Sequence, residues 1–471
     1  VRQKIKLVGS LSIIALLTGS LVLGTNIPWA HAVVSTSYQL VSQRPMGSTY
    51  VASAGFRGSH NTSSDGRYVL FASSASDLVS GDTNGLEDLF LRDTVSNTTT
   101  RVNVSSTGSE ANAYSTESAS MSYDGRYVVF SSKASNLDTG IVGTSIQHIY
   151  LRDTVAGTTT LVDRSSSGAI GTHRADFPSV SADGRYVVFS AAGTSLVPGM
   201  GTTSHAQIYI KDMHRNALKV LSVTPAGVQA NSNSAAPDIS CDGNVVAFMS
   251  AATNLGVPSG QPGRADLIVV HLGWDGVVLT NTTSSSDYGV NGNPSMDPQV
   301  SCDGNKVLFT SSSSNIVSPA ITSPYQNIYQ YDRLSNGMRQ VSLGNGNVQP
   351  DSWQQYKNIN ASMSGDGRYV AFASYARNMD TTYPKGTDTG SDISIYIRDM
   401  KNSTTETVTK LPSGNRSAWA GMSVGMSSDG TVVTFGHKTP GIYYPTRALN
   451  SSFSTGTTSD VLDIYKTDTG H

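Results

Sequence analysis

The sequence predicts an all-β fold: a seven-bladed β-propeller with four antiparallel strands per blade, closed by the N-terminal strand completing the last blade. Three observations predict it. First, Ser-x-Asp-Gly followed by a β-branched and aromatic run occurs seven times, with aspartates at Asp65, Asp124, Asp183, Asp242, Asp303, Asp366 and Asp429, in steps of 59, 59, 59, 61, 63 and 63 residues. A near-constant period marks one repeat architecture, not the several domains that length alone suggests. Second, each phrase sits among three other strand-like runs, which is the content of a propeller blade. Third, the ends are complementary. The last repeat stops at "DIYKTDTGH", one strand short, and "YQLVS" (38–42) supplies an orphan that resembles the missing strand. Pairing them removes two open sheet edges.

The phrase itself reads as a tight turn. Glycine takes positive φ without a Cβ clash, and Ser and Asp side chains bond nearby backbone. The run after it is continuously apolar, as in Tyr68-Val69-Leu70-Phe71, so both faces are expected to be buried. A phenylalanine recurs six residues after every Asp, at Phe71, Phe130, Phe189, Phe248, Phe309, Phe372 and Phe435. The next strand is "DLFLRD" (88–93), echoed by "HIYLRD", "QIYIKD", "NIYQYD", "SIYIRD" and "DIYKTD". "TRVNV" (100–104) and its echoes follow, and a short segment such as "FPSV" (177–180) precedes each phrase.

Composition agrees with an exported β protein. Charged residues are 14% of 471, Gly numbers 45, and no long run shows helical periodicity. Arg2, Lys4 and Lys6 precede an apolar stretch from Leu7 to about Thr25, and "AHA" (30–32) then offers small residues for a cut after Ala32, the pattern of a cleaved signal peptide. The expected organisation is a signal peptide at 1–32 and one propeller domain at 33–471. Cleavage would leave 29 basic against 34 acidic residues, a formal charge of −5. Nothing basic enough for nucleic acid remains, and no membrane span after signal cleavage. An uncleaved anchor is the alternative reading of the same stretch.

Ser-x-Asp-Gly, a β-branched run ending in Phe and an Ile-Tyr-x-x-Asp strand together resemble the TolB-type, WD-repeat-like propeller family. The resemblance covers essentially all of 33–471. It implies the fold, and it leaves function open among periplasmic binding scaffolds, propellers fused to peptidases, and some lyases.

The loops divide between two faces. The Ser-x-Asp-Gly turns share one face with the connections into the fourth strands, which keep one length. Asp93 to Val102, Asp153 to Val162, Asp332 to Val341 and Asp399 to Val408 are all nine apart. The other face varies, from 17 positions between Phe71 and Asp88 to 28 between Phe435 and Asp463. Uniform turns read as scaffold and divergent loops as recognition. Blade-to-blade loops bring Tyr114, Arg174, Tyr288, Asn291, Trp353, Tyr356, Arg416 and Trp419 to the long-loop face. Aromatic area beside Asn and Arg suits a protein, peptide or glycan. Loop residues packing on one another are the alternative. The residues two before each motif Ser (Asn61, Ser120, Ser179, Asp238, Gln299, Ser362 and Gly425) are expected to line a wet axial channel.

Catalytic patterns are sparse. "GMSVG" (421–425) fits GxSxG but falls on an inner strand with no helix after it. No cofactor motif is present. Asp82, Asn84 and Asp88 offer close-spaced oxygens for calcium, although Asx residues in a glycine turn explain them equally. His148, His173 and His205 fall on the long-loop face and could hold a transition metal, which keeps a metal-assisted lyase or hydrolase in view. Unrelated loop histidines are the plainer account. Cys241 and Cys302 occupy the same motif slot in neighbouring repeats, as a disulfide or as two half-buried thiols. The balance favours a non-catalytic exported scaffold, with the lyase and a structural envelope protein as alternatives.

Overall fold

The computed structural model describes residues 38–41, 53–54, 60–143, 146–192, 196–200, 203–255, 265–273, 276–278, 298–311, 316–317, 326–351, 361–380, 393–409, 420–439 and 461–469. All belong to one unit, Val34–His471. The segment read as a signal peptide lies outside the described residues. No described helix is long and apolar enough to cross a membrane.

The motif folds as its residues require. In each copy the Ser hydroxyl donates to the Asp carboxylate at 2.5–2.7 Å. The same carboxylate oxygen accepts the amide after the Gly at 2.9–3.0 Å. The following amide donates back to the Ser oxygen at 2.8–2.9 Å. The glycine serves two ends. Gly184 has φ +70°, and a Cβ there would lie 2.5 Å from the Tyr127 ring of the preceding repeat.

The strands that follow pair antiparallel into four-stranded sheets, seven among the described residues. The first combines Ser53–Ala54, Tyr68–Ser73, Asp88–Asp93 and Thr98–Arg101. The seventh combines Ala420–Met426, Val432–Thr439 and Val461–Asp468 with Tyr38–Leu40. In that last pairing Tyr38 faces Thr467, Gln39 faces Lys466 and Leu40 faces Tyr465. Ring packing explains the Phe and Tyr columns: Phe130–Tyr150, Phe189–Tyr209 and Phe309–Tyr329 stack at 5.5–5.8 Å.

The expectation of a seven-bladed propeller built of like units is corrected by the packing. The buried apolar residues of the described chain form six clusters, not seven. Five of them lie between successive sheets from the second to the seventh. The remaining one runs through the first sheet into the second, joining Phe71 and Phe90 to Val128, Phe130 and Tyr150. The seventh sheet enters it only through Val41. By packed core the described residues therefore count six units. The reason is the ring closure: the joint between the seventh and first sheets has no separate apolar cluster among the described residues and is held by polar contacts.

Those contacts belong to a ring of backbone bonds at the short-turn end. The slot after the motif Ser links successive repeats in five places, among them Ser64 N to Tyr123 O at 2.6 Å, Ala182 N to Cys241 O at 3.0 Å, and Cys302 N to Gly365 O at 2.7 Å. Cys241 and Cys302 are disulfide-bonded, with Cα atoms 4.6 Å apart. The polar column does not line a wet channel. Ser120, Ser179, Asp238, Gln299 and Ser362 are all buried. The inner strands converge closely enough for side chain to reach backbone: Gln299 accepts the Met363 amide at 2.7 Å, and Ser362 accepts that of Met426 at 3.1 Å.

Candidate functional site

On the long-loop face, the connection into an inner strand is pinned to a loop of the same sheet. Asn112 accepts the Ser135 amide at 2.9 Å and donates to Ser135 Oγ at 3.0 Å, while its own amide reaches Asn136 Oδ1 at 3.1 Å. Asn231 repeats this with Thr253 and Asn254 at 2.8–3.0 Å. Asp351 repeats the backbone part with Arg377 and Asn378 at 2.7–3.0 Å. The sequence shows why: a short Asx side chain bonds backbone two residues away or across a gap without secondary structure.

Two residues beyond Asn112 stands Tyr114, and two beyond Asn231 stands Asn233. Tyr114 O accepts the Lys133 amide, Arg174 O that of Ala192, and Asn233 O that of Ala251, so the three positions are equivalent in successive sheets. Tyr114 is 42% exposed. The Arg174 side chain is 69% exposed, with one guanidinium nitrogen 2.5 Å from Asp176. The structure thus brings Tyr114 and Arg174 into one row and adds Asn233, which the sequence did not single out. Tyr288, Asn291, Trp353, Tyr356, Arg416 and Trp419 lie outside the described residues.

The oxygen cluster of the first sheet already holds a cation. Arg101 Nη1 lies 3.3 Å from Asp82, 3.1 Å from Asp88 and 2.6 Å from Glu110. Asn84 bonds Asp88 at 3.2 Å, and Asn103 bonds it at 2.6 Å. Burial, then the neighbouring Asp88 charge, push the Asp82 carboxyl up. A guanidinium thus lies among three carboxylates, two of which, Asp82 and Asp88, belong to the calcium reading.

His148 is equally committed. It is 3% exposed, and its Nδ1 lies 2.7 Å from Asp163 Oδ2. The pair is one instance of a recurring device with a constant separation of 15 residues. Asn103 faces Asp88, Ser222 faces Gln207, and Ser342 faces Asn327. In each, the partner just beyond the fourth strand also accepts an amide of the third strand, as Asp163 does from Ile149 at 3.1 Å. His173 lies 3.0 Å from its neighbour Thr172, and the His205 backbone amide donates to Thr203 Oγ1 at 3.0 Å. Among the described residues no group of three or more His, Cys, Asp or Glu could hold a metal. Ser423 lies within the inner strand Ala420–Met426, not on a strand-to-helix turn.

A second titratable cluster lies at the axis, near the short-turn end, and sequence reasoning missed it. Asp238 meets Ser179 at 2.6 Å and His60 at 3.3 Å. The one legible signal was Asp238 as the only ionisable residue of its column.

No family model matches the chain. No curated protein matches it. Among solved structures it is similar to an oligogalacturonate lyase in complex with manganese, at 14% identity over 89% of this chain and 90% of that one, TM-score 0.49. It is similar to TolB from Acinetobacter baumannii, at 12% identity over 86% of this chain and 81% of that one, TM-score 0.38. It is also similar to a puromycin-hydrolyzing peptidase of Mycobacterium tuberculosis, at 14% identity over 86% of this chain and 53% of that one, TM-score 0.49. The likeness to TolB-type propellers is one of fold.

Proposed function

We propose that this protein is an exported, non-catalytic propeller scaffold that binds a protein, peptide or glycan segment through its long-loop face. One observation carries the reading: Tyr114, Arg174 and Asn233 hold equivalent places at the heads of three successive inner strands, two of them behind Asx-pinned loops. Pinning matters because a surface ordered before binding spends little entropy on ordering afterwards. An aromatic ring, a guanidinium and an amide in one row offer apolar area flanked by donors and acceptors. Against the metal-assisted lyase reading stands the burial of His148, which is 3% exposed. The test is a panel of immobilised oligosaccharides and peptides probed with the wild type and with a Tyr114→Ala/Arg174→Ala variant. Selective wild-type binding that the variant loses, at equal thermal stability, supports the reading. Binding that the variant retains moves the site elsewhere.

A further inference from the structure

Two of the outermost strands have their free edge closed by side chains. In the second sheet, whose outer strand is Thr158–Leu161, Thr159 N donates to Ser106 Oγ at 2.9 Å and Leu161 N to Asp138 Oδ2 at 2.7 Å. In the sixth, whose outer strand is Thr404–Thr407, Asn345 and Asp380 accept the Thr405 and Thr407 amides at 2.7 and 2.8 Å. The third sheet differs. Its outer strand is Ala217–Val220, and the Leu221 amide bonds inward to Ile208 O at 2.7 Å. Antiparallel alternation then turns the Leu218 and Val220 amides outward. Neither has an acceptor among the described residues. Val197 stands where the second and sixth sheets have Asp138 and Asp380, each eight residues after the motif Phe.

The same edge carries a charge that the closed edges lack. The second sheet has no charged residue from Thr154 through Leu161, and the sixth balances Lys401 with Glu406 over the same stretch. The third has His214, Arg215 and Lys219, all exposed, and its one nearby acid, Asp212, is bonded to Arg185 at 2.9 Å. Two further cations lie beside them. Lys211 Nζ donates to Arg164 O at 2.7 Å, and Arg164 Nη2 to Thr139 O at 2.8 Å; among the described residues neither meets a carboxylate. Burial, then the Arg164 charge, push the Lys211 ammonium down, as expected of a cation with no opposing charge. The fifth sheet has Arg339 in the place of Lys219, but chain beside its edge lies outside the described residues. We propose that the outer edge of the third sheet is a second binding surface, separate from the long-loop face, which takes an extended acidic polypeptide as an added β-strand. The backbone of that strand pairs with Leu218, and its carboxylates meet Arg215 and Lys219. Basic residues on an open edge repel a second copy of that edge, and an acidic strand is the partner they attract. On a chain of net charge −2, a local excess of cations selects the place as well as the partner.

The test uses the whole chain and a fluorescein-labelled peptide of alternating Glu and Val, read by polarisation. Binding to the wild type should weaken at least about fivefold between about 20 mM and about 150 mM salt. Lys219→Glu should weaken it about five- to tenfold at the lower salt, whereas Lys401→Glu, on the closed sixth edge, should leave it unchanged. The same peptide N-methylated at every residue keeps its charge and loses its amide donors, and should bind at least about fivefold more weakly. Hydrogen exchange at Leu218 should slow when the unmethylated peptide is added. A wild type that binds no peptide overturns the proposal. Equal binding of the methylated peptide overturns it too, because charge alone would then account for the contact. Undiminished binding to a folded Lys219→Glu, or equal losses in Lys219→Glu and Lys401→Glu, would place the peptide elsewhere and likewise overturn it.

Discussion

Thr62 and Thr434 stand 372 residues apart in the chain and share a 2.7 Å hydrogen bond. The bond closes a ring whose other joints are made between neighbours in sequence, and it is polar where those joints are mainly apolar. Gly66 and Val432 meet at the same place, where a Cβ on the glycine would fall 2.5 Å from the valine. The ring is thus closed by fit and hydrogen bonding, and its stability should respond to small changes at these positions.

Glycine substitutions test the motif. Gly184→Ala combines positive φ with a Cβ 2.5 Å from Tyr127, whereas Gly199→Ala has φ +83° and open space around it. Backbone strain alone should make Gly199→Ala cost about 1 kcal/mol, and Gly184→Ala about 2–4 kcal/mol once overpacking is added. Urea denaturation of both variants measures the difference. Equal losses would show that the turn, not the contact with the preceding repeat, selects the glycine.

The buried pair His148–Asp163 should behave as a structural unit. Asp163→Ala leaves a buried ring nitrogen and the Ile149 amide without their acceptor, at a cost of about 2–3 kcal/mol. The double variant His148→Asn/Asp163→Ser installs the pair that the fifth sheet uses, Asn327 with Ser342, and should recover most of the loss. Denaturation midpoints of the single and double variants decide it. Failure of the double variant to recover would point to a role for the imidazole beyond packing.

Acid should unfold the protein through its turn aspartates. The Arg67 guanidinium holds Asp93 well below the ordinary carboxylate range, and Arg126 does the same for Asp153. A folded value below the unfolded one means stability that is full above the unfolded value and lost as pH falls through the folded one. The melting temperature should stay level from about pH 7 to about pH 5 and fall below about pH 4. Asp153→Asn should lower the plateau and flatten the fall, as read by calorimetry across that range.

Core and rim should separate cleanly. Phe189 is fully buried, and Phe189→Ala should cost about 3–5 kcal/mol. Tyr114→Ala, at a half-exposed rim position, should cost less than about 1 kcal/mol while weakening ligand capture. Comparable thermal losses in both would make Tyr114 part of the framework.

What the sequence made legible was what repeats. Ser, Asp and Gly at fixed spacing announce a turn because each does one local job, and the Phe column announces a core because it recurs. The count of packed units was not legible, because it depends on how the first sheet shares its interior with its neighbour. His148 was one of three candidate ligand histidines, and its bond to Asp163 was not foreseen. The alignment of His148 with Asp88, Gln207 and Asn327, each with a partner 15 residues on, was available in the sequence as a signal. His60 was invisible, since its partner Asp238 lies in another repeat across the axis.

The disulfide and the closing threonines differ in one further respect. Cys241 and Cys302 are 61 residues apart, while the chain segments that close the ring are separated by most of its length. Loop-closure entropy rises with separation, and non-local β pairing is slow. The fourth and fifth sheets can therefore be covalently joined while the first sheet still waits for a neighbour. During that wait the seventh sheet lacks its Tyr38–Leu40 strand and presents an open edge, the kind of surface on which nascent β proteins aggregate. Middle before ends is thus the expected order of assembly, and the interval between oxidation and closure is its expected vulnerable moment.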